Sequence, residues 1–586
     1  MAENGELKSS QKEVADSMNR VLTNKIKTVK SRIERTDVDP LENTRNYLAG
    51  KNVGTFSLGR VSREQVRKVI KRLNNTNASG PDDIPCIAVK KLGGFLSLYL
   101  THIINLSLEH GIFPTAWKLA KIVPLYKGSG DKLDGKSYRP VANLCAMSKV
   151  LEKVIASRLS HYMEKSGLFS DRQNAYRRGR NCTMALLQLQ DRILHDSANG
   201  YDTSIILTDM SCAFDTISHE VMLGKLKLYG ANEEAINWFK SYFCNRAQYT
   251  QIGAASSMII NIIWGVFQGS ILGPVCFIVF MNDIVFLEIE GCIIIIYADD
   301  TTVALKLTGR KLEDQARMDE MMRRITMFMR ANSLAFNAKK TQVVHTSVRG
   351  RQPPEIDLIL DGNLIEPVSN ARLLGLQVTH DLEQKHYIMD MEGDLLSQLD
   401  NRFKGLKCLK KVTNKQKLKE LAKGIIISKV EFGLPFWGNT TEYLLNRVDQ
   451  LLNDVVRLIF DLPPRCPNRI VKPYYAEIGF LQIRELIAYH DVATLQSVMK
   501  NSAPRSLAEQ LNEEFSRVTR MREQGALRMT QNTAPTYGPL RKAFLARACF
   551  LYNWLPAYNL PEKNDDPKEY RRLLRERIME KYRNKS

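Results

Sequence analysis

The chain has 586 residues, of which 44% are hydrophobic, and this is enough for several subdomains around a sizeable core. It carries 84 lysines and arginines against 63 aspartates and glutamates, a formal net charge of +21. That balance favours a polyanionic partner, nucleic acid before membrane, although composition alone is also compatible with a merely basic soluble protein.

Cysteine usage and hydropathy narrow the class of protein further. The ten cysteines are scattered singly, without a CxxC pair or a Cys/His cluster, so the sequence supports neither a zinc knuckle nor a disulfide framework, and a reducing intracellular setting fits best. Residues 1–20 lack the apolar segment of a signal peptide. Residues 259–281 are long enough to span a bilayer, but Asn261, Gln268 and Pro274 favour a buried strand, loop and helix. We therefore predict no transmembrane segment.

The first half of the chain alternates helical and strand patterns. Residues 1–59 are polar and weakly patterned, apart from a stretch at 14–33 that is compatible with a helix. Ser62 and Gln65 predict a capping box at the start of a helix. Further on, the periodicity predicts three elements in order: a strand at 117–126, a helix at 148–163 and a short buried strand at 203–208.

Two segments after residue 200 have the composition of a ligand site. Asp209 ends the predicted strand at 203–208, where it can act as a metal ligand or simply as a helix N-cap. Residues 267–274 read FQGSILGP, and two glycines with a glutamine in an apolar stretch let the backbone approach a ligand closely. A structural turn before a buried helix is the alternative for those glycines.

The tetrapeptide YADD at 297–300 is the most informative feature. It follows four isoleucines, and residues 302–307 alternate apolar with polar or small side chains, so we predict a hairpin with Asp299 and Asp300 at its turn. Adjacent carboxylates beside a buried strand are costly unless they bind a cation. Two-metal phosphoryl-transfer sites need such carboxylates on a rigid support, with the ions about 3.5–4 Å apart.

The second half of the chain is predicted to be mainly helical from about residue 385. Before it, residues 312–332 form an amphipathic helical pattern and residues 334–346 a loop and strand. Apolar residues between 445 and 459 define one strong helix, which two prolines at 463–464 end. Residues 402–423 carry nine lysines and arginines and one acid, which suits a face for duplex phosphates or, more simply, a solvated helix face.

The motifs at 209–214 (DMSCAF), 267–274 and 297–300 resemble, in order and spacing, the palm of a reverse transcriptase. More narrowly, the chain resembles the polymerase of non-LTR retrotransposons of the LINE or Jockey-like type, over about residues 10–586. Flanking motifs that carry the resemblance lie at 79–82, 117–124, 137–140, 173–183, 333–341, 373–375 and 552–556. The sequence departs from the family at Phe267, where proline is usual, and at Cys212, where lysine is frequent.

The resemblance implies roles for individual residues. Asp209 and Asp299 would be metal ligands with Asp300 as a third acid, binding two Mg²⁺ ions for which Mn²⁺ can substitute. Phe214 would be the steric gate that rejects a ribose 2′-hydroxyl, or a core aromatic residue, or both. Residues implied to contact the nucleotide, its triphosphate or the template are Gln268, Gly269, Arg139, Lys127 and Lys340. Lysines implied to bind nucleic acid are Lys404, Lys407, Lys410, Lys411 and Lys415.

The implied fold class is α+β, a right-hand polymerase with a mainly helical C-terminal extension. Its expected divisions are a linker remnant at 1–59, fingers at 60–200, a palm with interleaved fingers elements at 201–380, a helical thumb at 381–470 and a basic helical region at 471–586. We expect no endonuclease domain upstream of the polymerase, so that activity would be a separate partner. The expected location is nuclear, cytoplasmic or both.

The implied activity is that of an RNA-directed DNA polymerase, which extends a DNA primer or target DNA on an RNA template with dNTPs. Two alternatives remain open. One is a non-catalytic nucleic-acid-binding remnant of such an element. The other is an RNA-dependent RNA polymerase, because Asp209 and Asp215 resemble the paired acids of that group.

Overall fold

A computed structural model gives the fold, and it describes residues 2–3, 6–7, 10–347, 356–390, 393–501, 504–514, 526–529, 544–554 and 567–583. Within these residues, helices α1 to α22 span Gln11–Arg32, Glu42–Leu48, Arg63–Lys71, Cys86–Lys91, Gly93–Glu109, Ala146–Lys165, Cys182–Ala198, Ala213–Thr216, His219–Leu228, Glu233–Phe243, Gly273–Phe280, Lys311–Ala331, Leu395–Lys410, Lys415–Ala422, Ser428–Glu431, Leu434–Trp437, Glu442–Phe460, Asn468–Ile478, Ile483–Asn501, Arg505–Ala508, Phe544–Trp554 and Pro567–Arg583. Strands β1 to β17 span Ala2–Glu3, Glu6–Leu7, Leu119–Tyr126, Tyr138–Asn143, Asp202–Thr208, Arg246–Ile252, Ala255–Ser256, Ile260–Ile262, Cys292–Tyr297, Asp300–Leu307, Gln342–Thr346, Leu358–Leu360, Asn363–Ile365, Asn370–Leu373, Leu376–Thr379, Leu511–Glu514 and Ala526–Met529.

A four-stranded antiparallel sheet lies at the centre of the fold, in the order β11-β5-β10-β9. Successive side chains of a strand point to opposite faces, so an apolar run serves two faces at once. On one face, Ile206 packs into a core shared with residues 48–360. On the other face, its neighbours Ile205 and Leu207 pack into a second core, which the C-terminal helices complete. The sheet is therefore buried on both sides.

A second sheet carries the order β4-β3-β6-β7, with β8 paired to β6. Its β3 and β6 are parallel, and the other pairings are antiparallel. Helix α1 packs against this sheet: Met18 and Leu22 share a small core with Phe267, and Asn19 donates a hydrogen bond to Ser257 Oγ at 3.0 Å. Part of the segment predicted to be a linker is thus a packed helix, as the pattern at 14–33 allowed.

The α+β class and the helical C-terminal region are confirmed. The capping box forms as predicted, with Ser62 and Gln65 each bonding the other's backbone N–H. Helix α17 ends at Phe460, just before the two prolines. A strand forms within 259–281, as β8, but it is not buried as expected. Its residues are partly or fully exposed, and the flanking Ile259 and Ile263 are 60% and 62% exposed. The helix in that segment, α11, is buried.

Two further expectations concern a transmembrane segment and the C-terminal part of the chain. None of the helices in the described residues has the length and apolar character needed to cross a membrane. The motif predicted at 552–556 lies partly outside the described residues, since residues 555 and 556 are not among them. The same holds for stretches of the basic region at 471–586.

A buried ion pair links the N-terminal segment to the body of the fold. Lys225 Nζ lies 2.8 Å from Asp283 Oδ1, and neither side chain is exposed. Thr44 of α2 donates a hydrogen bond to the other carboxylate oxygen at 2.6 Å, and Lys225 also donates to the Phe280 carbonyl oxygen. Burial lowers the pKa of Lys225, and Asp283 opposes that shift. Each charge therefore depends on its partner to remain in the interior.

We expect Lys225→Ala to lower the free energy of unfolding by about 3–5 kcal/mol, because it leaves the Asp283 charge buried without its cation. Thermal unfolding of the full chain measures the effect. The matched control is Lys227→Ala, which removes an exposed pair with Glu233 and should cost less than about 1 kcal/mol. Equal destabilisation by the two variants would contradict this account.

Candidate active site

The turn between β9 and β10 consists of Ala298 and Asp299. Ala298 adopts a left-handed conformation with φ of +59°, which is uncommon for a residue with a Cβ. Its N–H donates to the side-chain oxygen of buried Gln173 at 3.3 Å, and the Asn174 N–H donates to the Ile296 carbonyl oxygen at 2.9 Å. The segment around Gln173 thus stabilises the turn and the position of Asp299.

Asp209 directly follows β5, and the strand register places it beside the same turn. Thr301 of β10 pairs with Thr208 in antiparallel register. Asp300, which precedes Thr301, therefore lies next to Asp209, which follows Thr208. Asn337 donates to the Asp209 carbonyl oxygen at 2.8 Å and, through its side chain, to the carboxylate at 3.0 Å. Lys340 Nζ lies 3.3 Å from the same carboxylate. Asp209 is thereby oriented from two sides.

The three acids at this edge repel one another. Desolvation, followed by the charge of Asp209, raises the pKa of Asp299, while Lys340 opposes the shift. Desolvation, followed by the charges of Asp299 and Asp209, raises the pKa of Asp300 to about 6. A divalent cation at this edge would relieve the repulsion and favour the ionised carboxylates.

A cavity of about 440 Å³ brings together eight of the nine residues predicted to bind metal, nucleotide or triphosphate. They are Lys127, Arg139, Asp209, Phe214, Gln268, Gly269, Asp299 and Lys340. Asp300 is the exception: it lines a separate small cleft beside Tyr297 and Leu373. Asp299 belongs to the turn, whereas Asp300 is already the first residue of β10. Because successive side chains of an extended chain point to opposite sides, the two aspartates face different cavities.

The donor set suits a magnesium ion that also uses substrate oxygens. Among the described residues, no group of three or more His, Cys, Asp or Glu side chains is assembled to hold a metal. Mg²⁺ is usually bound by one or two carboxylates together with water and substrate phosphates. Asp209 and Asp299 line one cavity and match that requirement.

The residues between 129 and 378 match the family described as reverse transcriptase (RNA-dependent DNA polymerase). They form a reverse transcriptase domain.

Curated relatives point the same way. The chain is 26% identical over 403 residues to a probable RNA-directed DNA polymerase from transposon X-element of Drosophila melanogaster, covering 67% of this chain and 43% of the relative. It is 25% identical over 424 residues to the RNA-directed DNA polymerase from mobile element jockey of the same species, covering 71% and 46%. The resemblance to non-LTR retrotransposon polymerases is confirmed. The chain spans less than half the length of these relatives.

Phe214 and its neighbour Asp215 form the floor of the cavity in the reverse transcriptase domain. Phe214 lines the cavity and also stacks on Phe277, with ring centroids 4.4 Å apart, so it is both a cavity residue and a core aromatic. Asp215 is an acid that the site prediction did not include. Gln268 donates to its carboxylate at 2.8 Å, and burial raises the pKa of Asp215 to about 7. Its position six residues after Asp209 was the available signal.

Gln268 and Gly269 lie directly against β4. The Ala142 N–H donates to the Gln268 carbonyl oxygen at 2.7 Å. Gly269 has φ of +124°, and a Cβ there would be 2.4 Å from the Ala142 carbonyl oxygen. Only glycine fits this close approach of two backbones, which explains why this motif carries glycine after glutamine.

The cations of the cavity come from separate parts of the chain. Lys127 donates to the Lys136 carbonyl oxygen at 2.5 Å. Its pKa is lowered by burial and then by the nearby charges of Lys25, Lys340 and Arg139. Lys25, on α1, was not predicted as a site residue, because nothing in its local sequence distinguishes it from the other lysines of that helix.

The predicted nucleic-acid-binding lysines differ in how free their ammonium groups are. Lys410 pairs with Asp461, and Lys415 lies over the Phe460 ring, 3.9 Å from its centroid. Lys404 forms an exposed ion pair with Asp400 at 2.7 Å, one helical turn away. Lys407 and Lys411 are exposed and lie on the same helical face as Lys404. Lys407 also lies over the Phe403 ring, 4.4 Å from its centroid.

We expect Gly269→Ala to destabilise the reverse transcriptase domain by more than the roughly 1–3 kcal/mol of backbone strain alone, because its Cβ also meets the Ala142 carbonyl. Thermal unfolding measures the difference. The control is Gly50→Ala, which has φ of +77° but whose Cβ would meet no described atom within 4 Å. A larger loss for Gly50→Ala would contradict the proposed contact.

Proposed function

We propose that the chain is an RNA-directed DNA polymerase of a non-LTR retrotransposon, which extends a DNA primer 3′-hydroxyl on an RNA template with dNTPs. The observation that carries the proposal is the cavity in which Asp209 and Asp299 lie with Lys127 and Arg139. Carboxylates for metal ions together with cations for phosphates are what nucleotidyl transfer requires.

In the proposed mechanism Asp209 and Asp299 hold the divalent ions. Two Mg²⁺ ions, or Mn²⁺ in their place, would activate the primer hydroxyl and stabilise the leaving pyrophosphate. Lys127 and Arg139 neutralise the triphosphate and orient it for in-line attack. Lys340, which pairs with Asp209 at 3.3 Å, is placed to donate a proton or a positive charge to the pyrophosphate.

Selection of the substrate is assigned to the floor of the cavity. Phe214 would act as the gate against the ribose 2′-hydroxyl, and its stacking on Phe277 would restrict the motion of the ring. Gln268 and Gly269 contact the nucleotide and the template. The close approach of Gly269 to Ala142 leaves little room for these groups to move. A rigid gate discriminates better than a mobile one, because a mobile side chain can yield to the extra hydroxyl.

We further propose fingers at 60–200, a palm at 201–380, a thumb at 381–470 and a basic helical region at 471–586. The face with Lys404, Lys407 and Lys411 would bind the phosphates of the RNA–DNA duplex. Its support is the exposure of these side chains on one helical face. A nuclear location, a cytoplasmic one, or both, would follow from this function.

Primer extension tests the proposal. With poly(rA), oligo(dT), dTTP and Mg²⁺, we expect the wild-type chain to extend the primer and Asp299→Ala to lose extension while still binding the template, because only the metal site is damaged. Asp357→Ala, at an exposed residue outside the cavity, is the matched control and should extend normally.

Other outcomes would favour the alternatives. Extension by Asp299→Ala at the wild-type rate would remove the assigned site. RNA binding without extension by the wild-type chain would indicate a non-catalytic remnant. Preferential incorporation of UTP over dTTP would indicate an RNA polymerase, the alternative suggested by the pair Asp209 and Asp215, which both line the cavity.

A further inference from the structure

Helix α1 precedes the segment that matches the reverse transcriptase family, yet it forms part of the wall of the cavity. Leu22, Lys25 and Ile26 line the same cavity as Asp209 and Asp299. The family match begins at residue 129, so nothing in it assigns a role to this helix. The cavity is therefore completed by residues more than 100 positions upstream of that match.

The position of α1 is fixed by packing and by hydrogen bonds of a buried residue, Asn19. Met18 and Leu22 pack with Phe267, the residue before Gln268. The Asn19 side chain donates to Ser257 Oγ at 3.0 Å and accepts from Gln248 Nε2 at 2.9 Å. Such anchors hold the helix in one orientation relative to the second sheet.

Lys25 lies on the same face of α1 as the apolar residues that anchor the helix. Met18, Leu22 and Lys25 are separated by four and three residues, so they lie on one face of α1. Near the C-terminal end of the helix, Lys30 Nζ donates to the Ser333 carbonyl oxygen at 3.1 Å. Because the helix is attached on both sides of Lys25, this side chain is held in the lining of the cavity.

Lys25 joins a cluster of cations rather than a neutral surface. It lines the same cavity as Cys212, Asp215 and Lys127, and its charge acts on all three. Lys127 experiences repulsion from Lys25, Lys340 and Arg139. Four cations from four chain segments around one cavity are mutually destabilising, and a polyanionic ligand would relieve that repulsion.

We propose that Lys25 binds the triphosphate of the incoming nucleotide, so that α1 is part of the substrate site. This inference rests on the proposed polymerase function. Lys25 would act in binding rather than in chemistry. Its charge acts on Lys127 and Asp215, whereas the metal-site residue Asp209 pairs with Lys340. It would therefore affect the apparent affinity for dNTP more than the maximal rate.

Steady-state extension with varied dTTP tests the proposal. We expect Lys25→Ala to raise the KM for dTTP about tenfold or more, the cost of one charge-assisted contact, with kcat changed less than about twofold. Lys27→Ala is the matched control, since Lys27 is exposed on the same helix but does not line the cavity. Lys25→Arg should keep the KM near the wild-type value.

A second-site variant distinguishes substrate binding from a structural role of the helix. Because Lys25 and Cys212 line the same cavity, a Cys212→Lys substitution adds an ammonium group to that cavity. We expect it to restore most of the KM in the Lys25→Ala background. If the defect of Lys25→Ala were merely structural, a lysine at position 212 would not lower the KM. An unchanged, raised KM in the double variant would therefore overturn the proposal.

Equilibrium binding separates this inference from the proposed function. With a dideoxy-terminated primer on its template, no chemistry occurs, and the Kd for dTTP should rise about tenfold in Lys25→Ala but not in Lys27→Ala. If the wild-type chain binds dTTP more tightly than Lys25→Ala but does not extend a normal primer, the proposed polymerase activity is refuted. The proposed role of Lys25 in dTTP binding is then retained. Equal dTTP affinity of the wild type and Lys25→Ala, or no dTTP binding by either, would overturn the proposed role of Lys25.

Discussion

The pairing of β5 with β10 and β9 is the constraint on which the site depends. It brings Asp209, at the end of one strand, to the turn that carries Asp299. Both faces of this sheet are buried, so the apolar pattern alone would tolerate a shift of register better than a half-exposed sheet would. The register is instead secured by polar contacts at the edge of the site. Thr208 Oγ1 donates to the Thr301 carbonyl oxygen at 2.9 Å, and Gln173 bonds the Ala298 N–H.

Charge separation within one cavity follows from that geometry. The acids Asp209 and Asp299 come from strand ends of the central sheet. Lys127 and Arg139 come from the second sheet and the loop beside it, and Lys25 comes from the helix packed on that sheet. The acids and the cations are thus held by different parts of the fold. Each group can therefore be held rigidly without pairing with, and neutralising, the other. Lys340 is the exception, since it is a cation that pairs with one of the acids, Asp209.

Local sequence patterns were sufficient for the elements but not for all of the site. The hairpin, the capping box and α17 depend on spacing and terminal residues, so they could be predicted. The convergence of eight predicted residues in one cavity required the family resemblance, because strand order is not encoded in any local pattern. Lys25 reaches the cavity only through long-range packing of α1. The exposure of Ile259 and Ile263 was missed because an apolar run does not reveal which strand lies at a sheet edge.

Direct measurement of ion binding tests the central claim that Asp209 and Asp299 hold the divalent ions. Mn²⁺ can be titrated by electron paramagnetic resonance into the wild type, Asp209→Asn, Asp299→Asn and the control Asp357→Asn, each with primer, template and dTTP. The account predicts protein-dependent Mn²⁺ binding that is retained in the control and strongly weakened in both cavity variants, because each removes a carboxylate ligand. Unchanged Mn²⁺ affinity in Asp209→Asn and Asp299→Asn would contradict it.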